Sequence, residues 1–183
     1  MGIKIVKIFA RKLTSLMSKT LSLSKQAELA GVKMGSGNEI FSKFWGSEPY
    51  LITIGDNCQI TTGVKIFTHG GGKIIRTIIP NFDVFGKVYI GNNVYIGNNV
   101  LIMPGVTIGN NILIAAGSVV THSIPDNVVV GGNPARILCN IEDYYQRNLP
   151  YNTNTKGLSG KKKKSILINL PDKMFVKKKS LKI

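Results

Sequence analysis

Two histidines, His69 and His122, are the only side chains in this 183-residue sequence whose ordinary pKa lies close to neutrality. An imidazole with an ordinary pKa of about 6.5 is largely unprotonated at neutral pH and can take a proton from a substrate. Two are too few for a three-histidine zinc cage, so hydration chemistry on such a cage is excluded and the chain reads as metal-free. Two cysteines, Cys58 and Cys139, cannot staple a small secreted scaffold. His69 stands at the mouth of residues 67–87, which contain THGGGKIIRTIIPNFDVFG, the one place where a regular pattern breaks. That stretch exceeds the roughly 12–15 residues beyond which loops tend to be functional or disordered. A titratable base on a long excursion from a rigid scaffold marks the expected position of a site.

The scaffold that must hold this base is written as a repeat. Steps of six from residue 90 meet Ile90, Ile96, Ile102, Ile108, Ile114 and Val120, and the same phase holds upstream at Ile54, Ile60 and Ile66. Four residues after most of these comes a second small or branched side chain, at Cys58, Val64, Val94, Val100, Val106 and Ile112. Between them lie the turn formers Gly55-Asp56-Asn57, Gly91-Asn92-Asn93, Gly97-Asn98-Asn99 and Gly109-Asn110-Asn111. A six-residue beat matches neither the helical period of 3.6 nor the strand period of 2. It predicts a prism of short parallel strands, a hexapeptide-repeat β-helix, with one aliphatic side chain per face pointing inward. Gly and Asn serve the corners because they tolerate positive φ. Coils about 4.8 Å apart then stack each Ile on another of its kind, each burial contributing roughly 2 kcal/mol.

The net charge of +15 invites a nucleic-acid reading, and its distribution argues against one. Residues 1–30 carry +5 and residues 161–183 carry +8, leaving only +2 on the 130 residues between. Neither basic end interleaves aromatics with its charges as a single-strand binder would. No run approaches the roughly 20 apolar residues needed to span a bilayer. Residues 1–23 place Ile5, Phe9, Leu13 and Leu16 at helical spacing among Lys and Arg, which predicts a basic amphipathic helix, packed on its own body or resting on anionic lipid. Lys4, Lys7, Arg11 and Lys12 interrupt what would otherwise be a signal peptide, and Val6 stands where myristoylation wants Ser or Thr. After Leu138 the beat stops. Residues 139–160 read as a short helix or an irregular closing segment, and the Lys runs beyond Gly157 flank SILINL and MFV, which read as a solvated tail, a packed extension or a basic contact for the anionic membrane face. The chain divides accordingly into a basic segment 1–31, a β-helix 32–138 with the loop 67–87, and a closing segment with a Lys-rich tail, 139–183.

The stretches SEPYLITIGDNCQITTGVKIFTH, VYIGNNVLIMPGVTIGNN, AAGSVVTHSIP and GGNPARIL resemble those of the left-handed β-helix acyltransferases, in particular the maltose and galactoside acetyltransferase-like enzymes of bacterial surface-polysaccharide clusters. The resemblance covers roughly residues 45–138. It implies the left hand of the coil, a homotrimer with each acyl-donor cleft between subunits, acetyl-CoA as donor, and transfer of the acetyl group to a hydroxyl of a sugar or polysaccharide precursor. Thr68-His69 matches the position of the family's general base, so His69 is implied to take the hydroxyl proton as oxygen attacks the thioester. Many relatives read His-Asp-Gly there, whereas this chain reads His69-Gly70-Gly71. Glu48 and Asp83 are the nearby acids that could orient the imidazole or bind sugar hydroxyls, unless they are simply solvated. Tyr95 matches a position where relatives often carry Trp beside the thioester. Asn98 is either the small polar residue facing the developing oxyanion or one more corner residue. For the donor, Ala115, Ala116, Gly117 and Thr121 match a small-residue run along which pantetheine lies. His122 stands where relatives place Lys, and Arg136 either meets the nucleotide end of coenzyme A or caps the last coil.

Other function classes remain to be weighed on the same residues. N-acetylation of a nucleotide-linked amino sugar would use the same prism and base. Serine acetyltransferases resemble the coils but carry a large helical N-terminal domain, which about 30 residues cannot supply. A non-catalytic polyanion- or membrane-binding protein is motivated by the basic ends alone. The expected location is cytoplasmic, with the basic termini available for a peripheral contact at the inner face of the membrane.

Overall fold

The structure, a computed structural model, describes residues 21–180. The basic helix expected over residues 1–23 lies outside the described residues apart from its last three. The chain divides into two units with the boundary after Ile141.

Helix α1 (Leu23–Ala30) opens the first unit. The Ser22 hydroxyl accepts from the Lys25 N–H at its start, and Gly31 ends it in the left-handed region at φ 115°. Strands β1 (Lys33–Met34) and β2 (Glu39–Ile40) begin the coil, followed by β3 (Ile52–Ile54), β4 (Gln59–Ile60) and β5 (Lys65–Ile66). After the loop, which holds a short helix α2 (Gly72–Ile75), come β6 (Val88–Ile90), β7 (Val94–Ile96) and β8 (Leu101–Ile102), then β9 (Thr107–Ile108), β10 (Ile112–Ile114) and β11 (Val119–Val120). Strands β12 (Val128–Gly132) and β13 (Ala135–Asn140) finish the unit.

Pairing sorts these strands into three sheets, β1-β3-β6-β9 on face A, β13-β12-β10-β7-β4-β2 on face B and β11-β8-β5 on face C. The chain visits A, B and C in that order on each turn, so it winds as a three-sided coil, with every pairing parallel except β12 with β13. Registers are those the six-residue beat requires. Ile54 pairs with Ile90 and Ile90 with Ile108, Ile60 with Ile96 and Ile96 with Ile114, Ile66 with Ile102 and Ile102 with Val120. All nine side chains are at most 3 % exposed, as are the six in the second series. Three columns of aliphatic side chains, one against each face, fill the interior.

The A–B corner shows what Asn does at these turns. Asn57, Asn93, Asn111 and Asn127 all take φ between 54° and 62°. Their side chains form a ladder, Asn57 donating to Asn93 at 3.1 Å, Asn93 to Asn111 at 2.9 Å and Asn111 to Asn127 at 2.8 Å. Each rung contributes about 1 kcal/mol net and keeps one coil in register with the next.

The second unit holds α3 (Ile141–Asn148), which starts at the boundary residue, and α4 (Gly160–Ile168). Lys161 to Ile168 form a mostly exposed helix, a conformation that the readings of this tail did not specify. The Ser159 hydroxyl accepts from the Lys162 N–H at its start, and Lys, Leu and Ile all tolerate helical backbone. Among the described residues no helix is long and apolar enough to cross a membrane.

Candidate active site

Face C passes to face A at a corner where three successive coils meet, and the excursion 67–87 leaves the prism there. Thr68 is fully buried at this corner. His69 pairs across the loop mouth with Phe85 in an antiparallel bridge, and the Gly86 N–H donates to the Thr68 carbonyl at 2.8 Å. Gly86 is required by close packing, because a Cβ at that position would lie 2.2 Å from the backbone nitrogen of Gly105 in the following coil. Both ends of the excursion are thereby clamped, and the imidazole sits on a rigid element and not on a loop tip.

One coil earlier the same corner carries Glu48. Its Oε2 accepts from the Thr68 hydroxyl at 2.6 Å and lies 2.7 Å from His69 Nδ1. Gly46 makes this approach possible, since it takes φ 67° and a Cβ there would stand 3.0 Å from Thr68 Oγ1. The Thr68 hydroxyl bond is the main cause holding the Glu48 carboxyl below its ordinary range; partial burial opposes it, and the hydrogen bond and charge of His69 add to it. An ionised carboxylate has no proton to give, so Nδ1 must be the donor in this contact. The neutral imidazole then carries its lone pair on Nε2, the nitrogen turned away from Glu48. His69 is 39 % exposed at its side chain and Glu48 only 16 %, so the base is reachable while its partner is sheltered. The Phe85 ring flanks the imidazole with centroids 5.7 Å apart and is itself 52 % exposed.

Asp83, the other acid near the loop in sequence, does not reach the imidazole. Its Oδ2 pairs with Arg76 Nη2 at 3.5 Å, and its Oδ1 accepts the Val84 N–H. That pairing braces the far side of the excursion.

The expected donor residues occupy a different edge, where face B passes to face C. Asn98 is exposed there, and its carbonyl accepts the Gly117 N–H at 2.8 Å from the next coil. Its amide side chain takes no part in the ladder formed by its sequence look-alikes Asn93 and Asn111. Ala116 and Gly117 are exposed beside it, and a Cβ on Gly117 would meet nothing within 4 Å. Gly97 and Ala116 stack so tightly that a Cβ on Gly97 would lie 2.6 Å from the Ala116 nitrogen. Ser118, fully buried, anchors the turn by donating to the Ala115 carbonyl at 2.6 Å and accepting the Gly132 N–H at 3.2 Å. Tyr95 projects outward from face B, level with Gln59 and Leu113, and is 41 % exposed.

Thr121 Oγ1 and His122 Nδ1 lie 2.8 Å apart on the surface. His122 and Arg136 line one open groove of about 470 Å³ with Ile124, Pro125 and Ile137. Arg136 is exposed on β13, and its Nη1 donates to the adjacent Ala135 carbonyl at 2.9 Å. Within one chain, then, His69 and Glu48 meet at the C–A edge, Asn98 and Ala115–Gly117 gather at the B–C edge, and His122 with Arg136 shares the terminal groove. No cluster of three or more metal-ligating side chains occurs among the described residues.

In the sequence Thr68 appears only as part of the Thr68-His69 motif, with no role of its own, and Phe85 is not singled out. Thr68 precedes the histidine and looks like an ordinary strand-end residue, and Phe85 meets it only because the excursion closes on itself. The Thr68-His69 motif match is the one signal that the sequence offered for either of them.

Residues 87–122 match the family model described as bacterial transferase hexapeptide (six repeats). The chain is 48 % identical to Protein CapG of Staphylococcus aureus over 84 % of its own length and 91 % of that protein. It is 43 % identical to the galactoside O-acetyltransferase of Escherichia coli K12 over 52 % of its length, spanning 47 % of that enzyme. Among solved structures it resembles a galactoside acetyltransferase in complex with coenzyme A, with a TM-score of 0.50, 28 % identity, and 69 % of this chain and 75 % of that one covered.

Proposed function

This chain belongs to the hexapeptide-repeat acetyltransferases, and from that membership we propose that it moves an acetyl group from acetyl-CoA to a hydroxyl of a sugar or surface-polysaccharide precursor, with His69 as general base. The observation that carries this reading is the Glu48–His69 pair, in which an ionised carboxylate fixes the imidazole with Nε2 free. Nε2 removes the hydroxyl proton as the acceptor oxygen attacks the thioester carbonyl carbon. The carbon–sulfur bond then breaks, and the imidazolium returns the proton to the departing thiolate. The acetyl group passes directly between substrates and no acyl-enzyme forms.

The exposed small-residue edge Ala115-Ala116-Gly117 supports a slot for pantetheine, whose amides can bond to backbone along the coil in the manner of an added strand. Asn98, at the same edge with its amide unused by the ladder, is suited to face the developing oxyanion. The groove that His122 and Arg136 share supports a contact with the phosphates of the nucleotide end, with Thr121 hydrogen-bonded to the former. Phe85 offers a flat apolar surface beside the base for the ring of a sugar, while Tyr95 on face B lies level with the donor side. The galactoside acetyltransferases among the relatives act on sugars, which supports that acceptor class.

Topology supports a homotrimer. The base and the proposed donor slot flank face C on opposite edges, which supports a site shared between neighbouring chains. Three prisms with face C turned to a common axis bring the C–A edge of one subunit against the B–C edge of the next. Leu101 and Val119, half-buried on the outer side of that face, suit such a contact. The left hand of the coil belongs to the same reading.

Incubating the protein with acetyl-CoA and a panel of monosaccharides, nucleotide sugars and short glycans, and following thiol release, tests the proposal. A hydroxyl acceptor that supports thiol release in the wild type and not in His69→Ala is the expected result. Acetylation confined to amino sugars on the nitrogen would replace the reading with N-transfer.

A further inference from the structure

The mechanism above leaves one polar group unexplained. Thr68 has no solvent exposure, yet its hydroxyl is aimed at the same carboxylate oxygen that receives the His69 Nδ1 proton. A hydroxyl withdrawn from water at a coil corner is commonly satisfied by a backbone carbonyl, as Ser42 is by Val64 and Thr61 by Ile96. Thr68 instead spends its proton on Glu48, and the backbone is arranged around it. Its own carbonyl is held by the Gly86 N–H at 2.8 Å, and Gly46 leaves the space its oxygen occupies.

From this geometry we infer that Thr68 is a positioning residue for the proton transfer, holding Glu48 Oε2 where it can accept the Nδ1 proton and so keeping the free lone pair of His69 on Nε2. The inference rests on His69 being the base. A lone carboxylate rotor has two oxygens and several orientations; a second donor on Oε2 selects one of them. The bond also favours the ionised carboxylate, which is the form that fixes the tautomer. Among the described residues the titratable group facing Glu48 is His69, with no second acid or base crowding the carboxylate.

The sign of the pH effect follows. Without the hydroxyl, the main cause lowering the Glu48 carboxyl is lost and burial acts less opposed, so the carboxyl protonates at higher pH. Once protonated it no longer demands the Nδ1 proton, and the preference of the neutral imidazole for a free Nε2 is lost.

Thr68→Val removes the hydroxyl at nearly constant shape, and Thr68→Ser keeps it. Thr68→Val is expected to lower kcat by roughly 10- to 100-fold, the worth of one hydrogen bond to a charged group, with KM for acetyl-CoA unchanged. Thr68→Ser should recover activity to within about threefold of wild type if the hydroxyl is what acts. A second readout does not depend on turnover. Nitrogen-15 NMR of the imidazole, assigned with His122→Gln, should show Nδ1 protonated in the wild type and in Thr68→Ser, and a mixture of tautomers in Thr68→Val. An unchanged tautomer and rate in Thr68→Val overturns the inference, as does a Thr68→Ser variant as impaired as Thr68→Val, which would assign the loss to packing of the methyl group. If the wild type acetylates no acceptor, the proposed function fails, while the NMR comparison still decides the role of Thr68.

Discussion

Replacing Glu48 by Gln tests the proposed chemistry at its least redundant point. The substitution preserves volume and an oxygen that can accept from Thr68, but removes the charge. In the native protein that charge accepts two hydrogen bonds on one oxygen, from Thr68 Oγ1 at 2.6 Å and from His69 Nδ1 at 2.7 Å. A hydrogen bond to a charged group is worth about 1.5–3 kcal/mol. At about 1.36 kcal/mol per factor of ten, its loss from the transition state corresponds to roughly a 10- to 150-fold fall in kcat. A glutamine can also turn its amide NH₂ toward Nδ1, which would favour the proton on Nε2 and remove the base altogether. KM for acetyl-CoA should stay constant, because the Glu48 carboxylate bonds to Thr68 and His69 and to none of the residues proposed for the donor slot. Thiol release from acetyl-CoA, measured at several acceptor concentrations between pH 6 and 8, separates the two constants. A Glu48→Gln enzyme with wild-type kcat throughout that range, or one impaired only in its KM for acetyl-CoA, would refute the assignment of Glu48 to the imidazole.

Further expectations concern the base, the coil, the assembly and acid stability. His69→Ala should lower kcat by roughly two to four orders of magnitude with acetyl-CoA affinity little changed, as titration calorimetry with the non-reacting cofactor would show. Ile102 has no exposed surface and stands between Ile66 and Val120 in its column, so Ile102→Ala should cost about 2–5 kcal/mol in urea unfolding through the cavity it leaves. Mixing His69→Ala subunits with Ala116→Trp subunits, whose donor slot is blocked, and reassembling them should restore activity at about a quarter of the sites if each is shared between neighbours; no recovery would place both halves in one chain. Because the Glu48 carboxyl is lowered in the native protein, its stabilisation is present above the unfolded value and lost as pH falls through the native one. The stability gap between wild type and Glu48→Gln should therefore be level above about pH 5 and close below about pH 4, as thermal unfolding across that range would report.

Sequence alone determined the coil. The phase running through Ile54, Ile60, Ile66 and on to Val120 named all nine stacked residues, and even the break at 67–87 was visible because the six-residue beat fails there; the structure pairs Ile54 with Ile90 across it. Such a repeat is legible because each coil contacts its neighbours through identical positions, so a local pattern carries the long-range pairing. The family motifs and the candidate base at His69 were equally readable, being short and contiguous. What only the tertiary structure decided is which groups meet. Glu48 and Asp83 were equivalent acids in the sequence, yet one lies on the corner directly beneath the imidazole and the other is turned to Arg76. Thr68 became a functional candidate only once its burial and its bond to Glu48 were known, and the helix at Lys161 to Ile168 emerged from a capped start that a charge run conceals. For Glu48, Thr68 and His69 the physical reason is shared. Burial and hydrogen bonding depend on distances between residues about 20 positions apart, and the side-chain order within an irregular corner or excursion obeys no period from which those distances could be read.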